Sequence, residues 1–457
     1  MSDVVKPIIA ALAPPIPDLG EPESGKLFRI RGQVHDYGWG KPSSSSLVAA
    51  LAIEGGEENF KPKPQHPYAE LWMGTHACGP LTLYSAPSRK LSDVFAADPE
   101  YWLGHVLVEK WPGTCDIPFI FKILSIAKAL PLQAHPDKQL GTQLHKTDPY
   151  EFVDENHKPE IAVALGTPVS DAFGGDPNMT TFTGFVGFAP LNAISGALSA
   201  VPELAQAVGD ERALNEFFSS PSKVTLKRIF SALLVRGKDF PDDIKRSVDQ
   251  LLARISASSN DDPLAMQFAL AKRINEQYAG DVGVLAAPFF MNLIRLKKGE
   301  AIYIGADEAH AYLEGDIVEC MAISDNVLNA AFVPHEQRHL RTFLDTVTYT
   351  SREQSHWILP VAPLERSVRG KTTKFSPPLE EFEVLHTVLD QSGTETIRAA
   401  RGPTVAIVVE GCGITFEVEG ERLETIPRGG VVFVVPGKEV TVEGEGEVWW
   451  ATTHDLA

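Results

Sequence analysis

The chain has 457 residues, more than one hydrophobic core organises, so two or three domains are expected. Hydrophobic residues make up 44% and charged residues 22%, the balance of a soluble globular protein. A formal net charge of -19 argues against a nucleic-acid binder or a protein held on anionic membranes, but leaves room for a local basic pocket that takes an anionic small molecule.

In chain order, residues 1–26 read as a loose leader. Pro7, Pro14, Pro15 and Pro17 break it, and one early lysine without a small-residue cleavage site does not make a signal peptide. From 27 to 188 the chain is rich in glycine, proline, aromatics and short apolar runs. "PFIFKILSIA" (118–127) and "KPEIAVAL" (158–165) are strand-like. From 189 to 285 the pattern turns helical. Ile244, Val248, Leu251, Leu252 and Ile255 mark one face of a helix over 241–257, with Pro241, Asp242 and Asp243 suited to its first turn. Segments 222–237, closed by Gly237, and 262–278 read as two more helices. Strand character returns at 289–305, so 286–345 rejoins the first β unit. Residues 346–457 read as short strands with glycine turns, a second β unit of jelly-roll type. The acidic "EGEGE" (443–447) reads as a solvated turn. The fold class is therefore mainly β, with a helical insertion.

No apolar run approaches the ~20 residues that span a bilayer, so no membrane is expected as a partner. Cys78, Cys115, Cys320 and Cys412 are far apart and show no C-x-x-C spacing, which suits free thiols and a cytoplasmic location.

Three segments carry candidate chemistry. In "LPLQAHPDK" (130–138), Gln133 and His135 stand two apart on an extended run, so they share a face, and Pro136 ends the pairing. Two readings stand: a polar strand end that bonds its neighbours, or a pair of metal ligands, which needs further ligands elsewhere. "DENHKPEIAVAL" (154–165) offers His157, Lys158 and Glu160, and "GADEAHAYLEGDIVECMAISDN" (305–326) offers His310. Gln133, His135, Glu160 and His310 would give two imidazoles, a carboxylate and an amide oxygen. A nitrogen and oxygen set without thiolate suits zinc in a catalytic site, and other divalent metals also. The histidines of the last unit, His356, His386 and His454, are scattered, so that unit is expected to be structural.

Six blocks, in order, resemble the type I mannose-6-phosphate isomerases: Tyr37-Gly-Trp-Gly40, "YAELWMGTH" (68–76), "PFIFKILSIAKAL" (118–130), "QAHPDK" (133–138), "NHKPEIAVAL" (156–165) and "AHAYLEGDIVECMAISDNV" (309–327). The resemblance implies a cupin-type catalytic core over 27–188 and 286–345, a helical domain over 189–285 and a C-terminal jelly roll over 346–457. It implies one Zn2+ per chain, held by Gln133, His135, Glu160 and His310. It also implies a sugar-phosphate substrate, no obligatory protein partner, and a place in GDP-mannose biosynthesis. The implied reaction interconverts mannose 6-phosphate and fructose 6-phosphate, with ring opening and a proton moved between C1 and C2 through an enediol. His157 and Lys158 are candidates for ring opening and proton handling, and Asp325 and Glu319 match family active-site positions. Lys122 matches a position near substrate, against the reading of Lys122 and Lys128 as surface lysines. Trp39 and Glu70 either line the pocket or pack.

The chain departs from that pattern on the anion-handling side. Asn329 stands where the family has an arginine, His335 where it has a lysine, and Pro131 where it has a serine. Asparagine cannot replace a guanidinium beside anionic oxygens. Arg338, His339 and Arg341 lie just downstream, as replacement charge or as a solvated loop. Three expectations follow: an active isomerase, an isomerase of altered sugar specificity, or a metal-holding paralogue that binds sugar without turnover.

Overall fold

The structure is a computed structural model and describes residues 25–56, 60–166, 180–255 and 262–454. The expected leader lies outside the described residues except for Gly25 and Lys26.

Phe119–Ile126 and Glu160–Ala164 are buried at every position. Such runs, without polar alternation, form strands covered on both faces. They flank His310–Ala322, the 13-residue centre of an eleven-stranded sheet. From there the antiparallel ladder runs outward through Glu70–Gly74 to Gln33–His35, and on the other side through Ala301–Ile304 to Ile358–Leu359. The first half of the central strand pairs instead with Phe182–Phe188 and, at His310, with Leu132–Ala134.

The two faces of this sheet do different things. Phe119, Phe121, Ile123, Ile161, Val163 and Val318 pack against Phe28, Val405, Ile407, Phe433 and Trp449 of a second sheet. The opposite face carries Leu124, Ala162, Ala164, Tyr312 and Ile317. Polar Glu160, Lys122 and Glu319 interrupt that apolar lining, and all three are buried. Buried charge is costly unless paired, so a polar cluster on an inner face marks a site rather than a core.

The second sheet has nine strands, built mainly from Val361–Pro363 to Val440–Thr452. Leu27–Arg31 joins it beside Val431–Val434, so the first described strand is bonded to the C-terminal sheet. "EGEGE" is not a turn: it lies inside Val440–Thr452 and pairs with both Glu383–Ile397 and Thr404–Val418. Gly411 and Gly413 likewise sit within the 15-residue strand Thr404–Val418 rather than at turns, Gly411 paired with Gly446 and Gly413 at a shift of register.

Among the described residues the insertion contains seven helices, from Leu191–Ala200 to Gly283–Phe290. Ile244, Val248 and Leu251 bury the predicted face of Pro241–Ile255, each worth ~1.5–3 kcal/mol of apolar burial. The neighbouring helix, Lys223–Asp239, starts at Ser222, whose hydroxyl accepts from the Thr225 amide while Thr225 returns the bond. It does not end at Gly237. Gly237 lies inside it because a Cβ there would come within 2.6 Å of Val282.

Candidate metal centre

Gln133 lies directly across the ladder from His310, and Glu160 opens its strand after Pro159. The result is convergence: donor atoms of His135, Glu160 and His310 all lie within 4.8 Å of one another, and all three residues are buried. Glu160 Oε2 is 3.3 Å from His135 Nε2 and Oε1 is 3.4 Å from His310 Nε2. The Gln133 carboxamide is 3.3 Å from His310 Nε2. Each ring is turned by its other nitrogen. His135 Nδ1 donates to the Asn326 carbonyl at 2.9 Å, and His310 Nδ1 to the Glu308 carbonyl at 3.0 Å. Both Nε2 lone pairs therefore face inward, the tautomer a metal ligand needs.

Electrostatics agree with that assignment. Burial, with the Lys158 ammonium beside it, pushes His135 down to about 3, so the ring stays neutral. Burial alone would raise Glu160, but Lys158 and His135 outweigh it and hold the carboxylate ionised. Lys158 Nζ donates to Glu160 Oε2 at 2.9 Å and lies 3.1 Å from His135 Nε2. Tyr312 donates its hydroxyl to Glu160 Oε1 at 2.6 Å. Two inward lone pairs, an ionised carboxylate and an amide in a buried space form a donor set that gathers a cation, and the residues fit zinc.

A second charged layer adjoins it. Lys122, Glu319 and Trp72 are cross-strand neighbours and so share the inner face. Lys122 Nζ is 3.1 Å from Glu319 Oε2, 3.2 Å from Glu70 Oε2 and 4.4 Å above the Trp72 ring. Trp72 Nε1 donates to Glu70. Burial lifts the Glu319 carboxyl to about 7, with Lys122 pulling against it. Lys122 itself is raised: burial would lower it, but Glu319, Glu70 and Asp325 more than offset this. His310 and Glu319 are nine apart, an odd spacing that strict alternation would send to opposite faces. The central strand is irregular near its middle: Gly315 has φ +131°, and the pairing with Phe182–Phe188 shifts register between Tyr312 and Glu314.

The other predicted residues are placed as follows. Asn329 pairs directly with Gln133 across the short ladder of Leu328–Ala331, with its Oδ1 buried and unpartnered. Asp325 takes part in the charge balance of Lys122. Trp39 packs on the inner apolar lining. His157 turns to Glu381 of the C-terminal unit, Nε2 to Oε1 at 2.8 Å. His335 is exposed and lines a depression against the helical insertion, with Lys128, Tyr278 and Arg338. Arg338 is committed to Asp281 at 2.6 Å, and His339 to the Asn329 amide and Glu151. Lys128 sits 4.0 Å over the Tyr278 ring.

Sequence reasoning missed Tyr312, Asn326 and Asp154. Tyr312 was within reach, since it stands two residues after His310 on a strand and so shares its face. Asp154 was not: it binds Ser324, the Asp325 amide and Asn326 across 170 or more residues, joining the rims of two ligand-bearing strands.

Comparison with known proteins agrees with this geometry. Residues 27–172 match the catalytic domain of type I phosphomannose isomerase and residues 203–291 its helical insertion domain. The mannose-6-phosphate isomerase of Candida albicans is 35% identical over 444 residues, covering 92% of this chain and 96% of that protein. That of Saccharomyces cerevisiae is 36% identical over 438 residues, covering 93% and 97%. A zinc-bound mannose 6-phosphate isomerase superposes with a TM-score of 0.75 at 23% identity, covering 94% of this chain and all of that one. A point variant of phosphomannose isomerase from Salmonella typhimurium gives 0.76 over the same shares. These likenesses show the fold, a cupin-type β core with a helical insertion.

Proposed function

The chain belongs to the type I phosphomannose isomerase family, and from that premise we infer that it interconverts mannose 6-phosphate and fructose 6-phosphate as a zinc enzyme. The observation that carries the reading is the convergence of His135, Glu160 and His310 with Gln133 beside them.

In this reading Gln133, His135, Glu160 and His310 hold the ion. When bound, zinc supplies Lewis acidity toward the oxygens of the sugar. The chain's own groups do the rest. Asn326 and Glu308 carbonyls and the Tyr312 hydroxyl fix the ligands in place. Lys158 places its Nζ beside the Glu160 carboxylate and the His135 ring, and we assign it to ring opening. Glu319, poised near neutrality, is suited to hold or release a proton at its carboxylate during transfer between C1 and C2. Lys122 sets the charge around it, and Asp325 in turn acts on Lys122. His157 faces Glu381, so we assign it a role in holding the 157–160 segment. We place Trp39, Asn329 and His335 on the substrate side of the pocket and its approach.

Asn329 favours a second reading, an isomerase for a sugar without phosphate. Lys122 and Lys158 already have carboxylate partners, and Asn329 brings no charge where an anion would need it. A binding-only paralogue is the remaining alternative. Chelator-sensitive turnover of fructose 6-phosphate supports the first reading. Turnover of mannose or fructose alone supports the second, and silence on all of them the third. The division into 27–188 with 286–345, 189–285 and 346–457, a cytoplasmic location and a step before GDP-mannose formation belong to the same proposal. Four free cysteines suit that compartment.

A further inference from the structure

Asn329 lies on Leu328–Ala331, which among the described residues pairs only with the strand that carries Gln133. His339 holds its other edge. The Asn329 amide donates to His339 Nδ1 at 3.4 Å, and the Asn329 carbonyl accepts from the His339 amide at 2.8 Å. The far ring nitrogen of His339 is anchored 3.0 Å from Glu151 Oε1. Both main-chain polar groups of Asn329 therefore point away from Gln133, so these two residues form a non-hydrogen-bonded pair of the ladder. In such a pair the Cα atoms stand only ~4.5 Å apart and the side chains, on one face, are at their closest. Two carboxamides thus face each other beside the metal centre. The Asn329 Oδ1 is buried and has no partner. Water does not reach it, so only a neighbouring side chain can supply the hydrogen it lacks. Gln133 is the neighbour with one to give. A carboxamide binds a cation through its oxygen, because the nitrogen is a donor only. As a ligand Gln133 must therefore present Oε1 to His135, Glu160 and His310. Its Nε2, which lies 3.3 Å from His310 Nε2, then turns away and needs an acceptor. A half-turn about the terminal bond makes that exchange, since the two ends of a carboxamide are nearly isosteric.

We propose that Asn329 is a positioning residue of the metal centre: its Oδ1 accepts from the Gln133 amide nitrogen and so fixes Gln133 with Oε1 toward the ion. The inference rests on the reading of Gln133 as a zinc ligand and not on which sugar is turned over. It is also separate from the charge that position 329 lacks toward an anion. That charge bears on turnover by the loaded enzyme, whereas the acceptor bears on how tightly the ion is held.

The test is the zinc affinity of the full chain, measured by competition with a chromophoric chelator, with the thermal midpoint of each metal-free protein alongside. The variants are Asn329→Leu, which matches asparagine in size and accepts nothing, Asn329→Asp, which keeps an oxygen acceptor, Gln133→Ala, and Gln133→Ala combined with Asn329→Leu. Asn329→Leu should weaken zinc ~10–100-fold, the range for an outer partner of a ligand. Its metal-free midpoint should hold or rise, because an unpartnered buried acceptor has been removed. Asn329→Asp should keep the parent affinity or exceed it. Once Gln133 is alanine, Asn329→Leu should have no further effect, because the residue it acts through is gone. The proposal is overturned if Gln133→Ala weakens zinc and Asn329→Leu does not, or if Asn329→Leu weakens it equally with and without Gln133. It is also overturned if Asn329→Asp loses as much as Asn329→Leu, or if zinc affinity and the metal-free midpoint fall together, as a purely structural role would have it. Zinc held by Gln133→Ala as tightly as by the parent would overturn the ligand reading itself, and this inference with it.

Discussion

His135 and His310 are oriented for the proposed metal by what holds their far nitrogens, and Glu160 by Tyr312 and Lys158, which aim its two oxygens. Outer partners of this kind typically contribute ~10–100-fold in metal affinity or activity. Tyr312→Phe removes one hydroxyl and keeps the buried ring against Phe182. Zinc retention in a competitive chelator titration is therefore expected to fall by about that factor, with little loss of thermal stability; unchanged affinity would show that Glu160 does not need the contact. At this scale the sequence was a good guide to which side chains converge and a poor one to orientation. Gln133 and His135 follow from spacing of two on an extended run, and His310 and Glu160 from their motif blocks. The direction of His157 does not follow, because its partner Glu381 is 224 residues away. The unpartnered Oδ1 of Asn329 is equally invisible in the chain.

Among the elements, the buried strands and amphipathic helices were legible because each repeats a period that burial enforces. The strand Val440–Thr452 was not. Glycine and glutamate are poor strand formers, yet pairing on both sides overrides local preference. One of its acids has a structural task. Glu447 is bonded to Lys298, from the turn of the catalytic sheet, and to His386, which stacks on Trp449. Burial would raise this carboxyl, but His386 and Lys298 bring it down to about 2. A carboxylate lowered in the folded state stabilises above its unfolded value, near 4.5, and loses that contribution as pH falls toward 2. Glu447→Gln should thus lower the thermal midpoint at pH 7, by an equivalent of up to about 3 kcal/mol, and the gap to the parent protein should close between pH 4.5 and 2. A gap that persists at the acid end would mean that packing, not charge, is what the substitution removes.

Over the whole molecule, composition assigned residues from 27 onward to the catalytic β unit, whereas the structure pairs the first described strand with the C-terminal sheet. Leu27–Arg31 pairs with Val431–Val434, and one face of the catalytic sheet is covered by the C-terminal sheet. A chain cut after Thr346 should leave Phe119, Phe121 and Ile161 uncovered and elute as aggregate in size exclusion; a monodisperse fragment that still binds zinc would contradict this coupling. The covered face and the polar face of one sheet explain why a structural C-terminal unit and a metal centre are parts of a single design. The departure at Asn329 is where family membership and chemistry pull apart. Restoring a guanidinium there is worth ~1.5–3 kcal/mol if it meets an anionic oxygen, or roughly 10–100-fold in kcat/KM. The most direct test is conversion of fructose 6-phosphate to mannose 6-phosphate by the zinc-loaded protein, by a chelator-treated sample and by Asn329→Arg. Turnover that is lost on chelation, restored by zinc and increased in Asn329→Arg is the predicted result; a zinc-loaded parent protein without turnover on this substrate would contradict the assigned reaction.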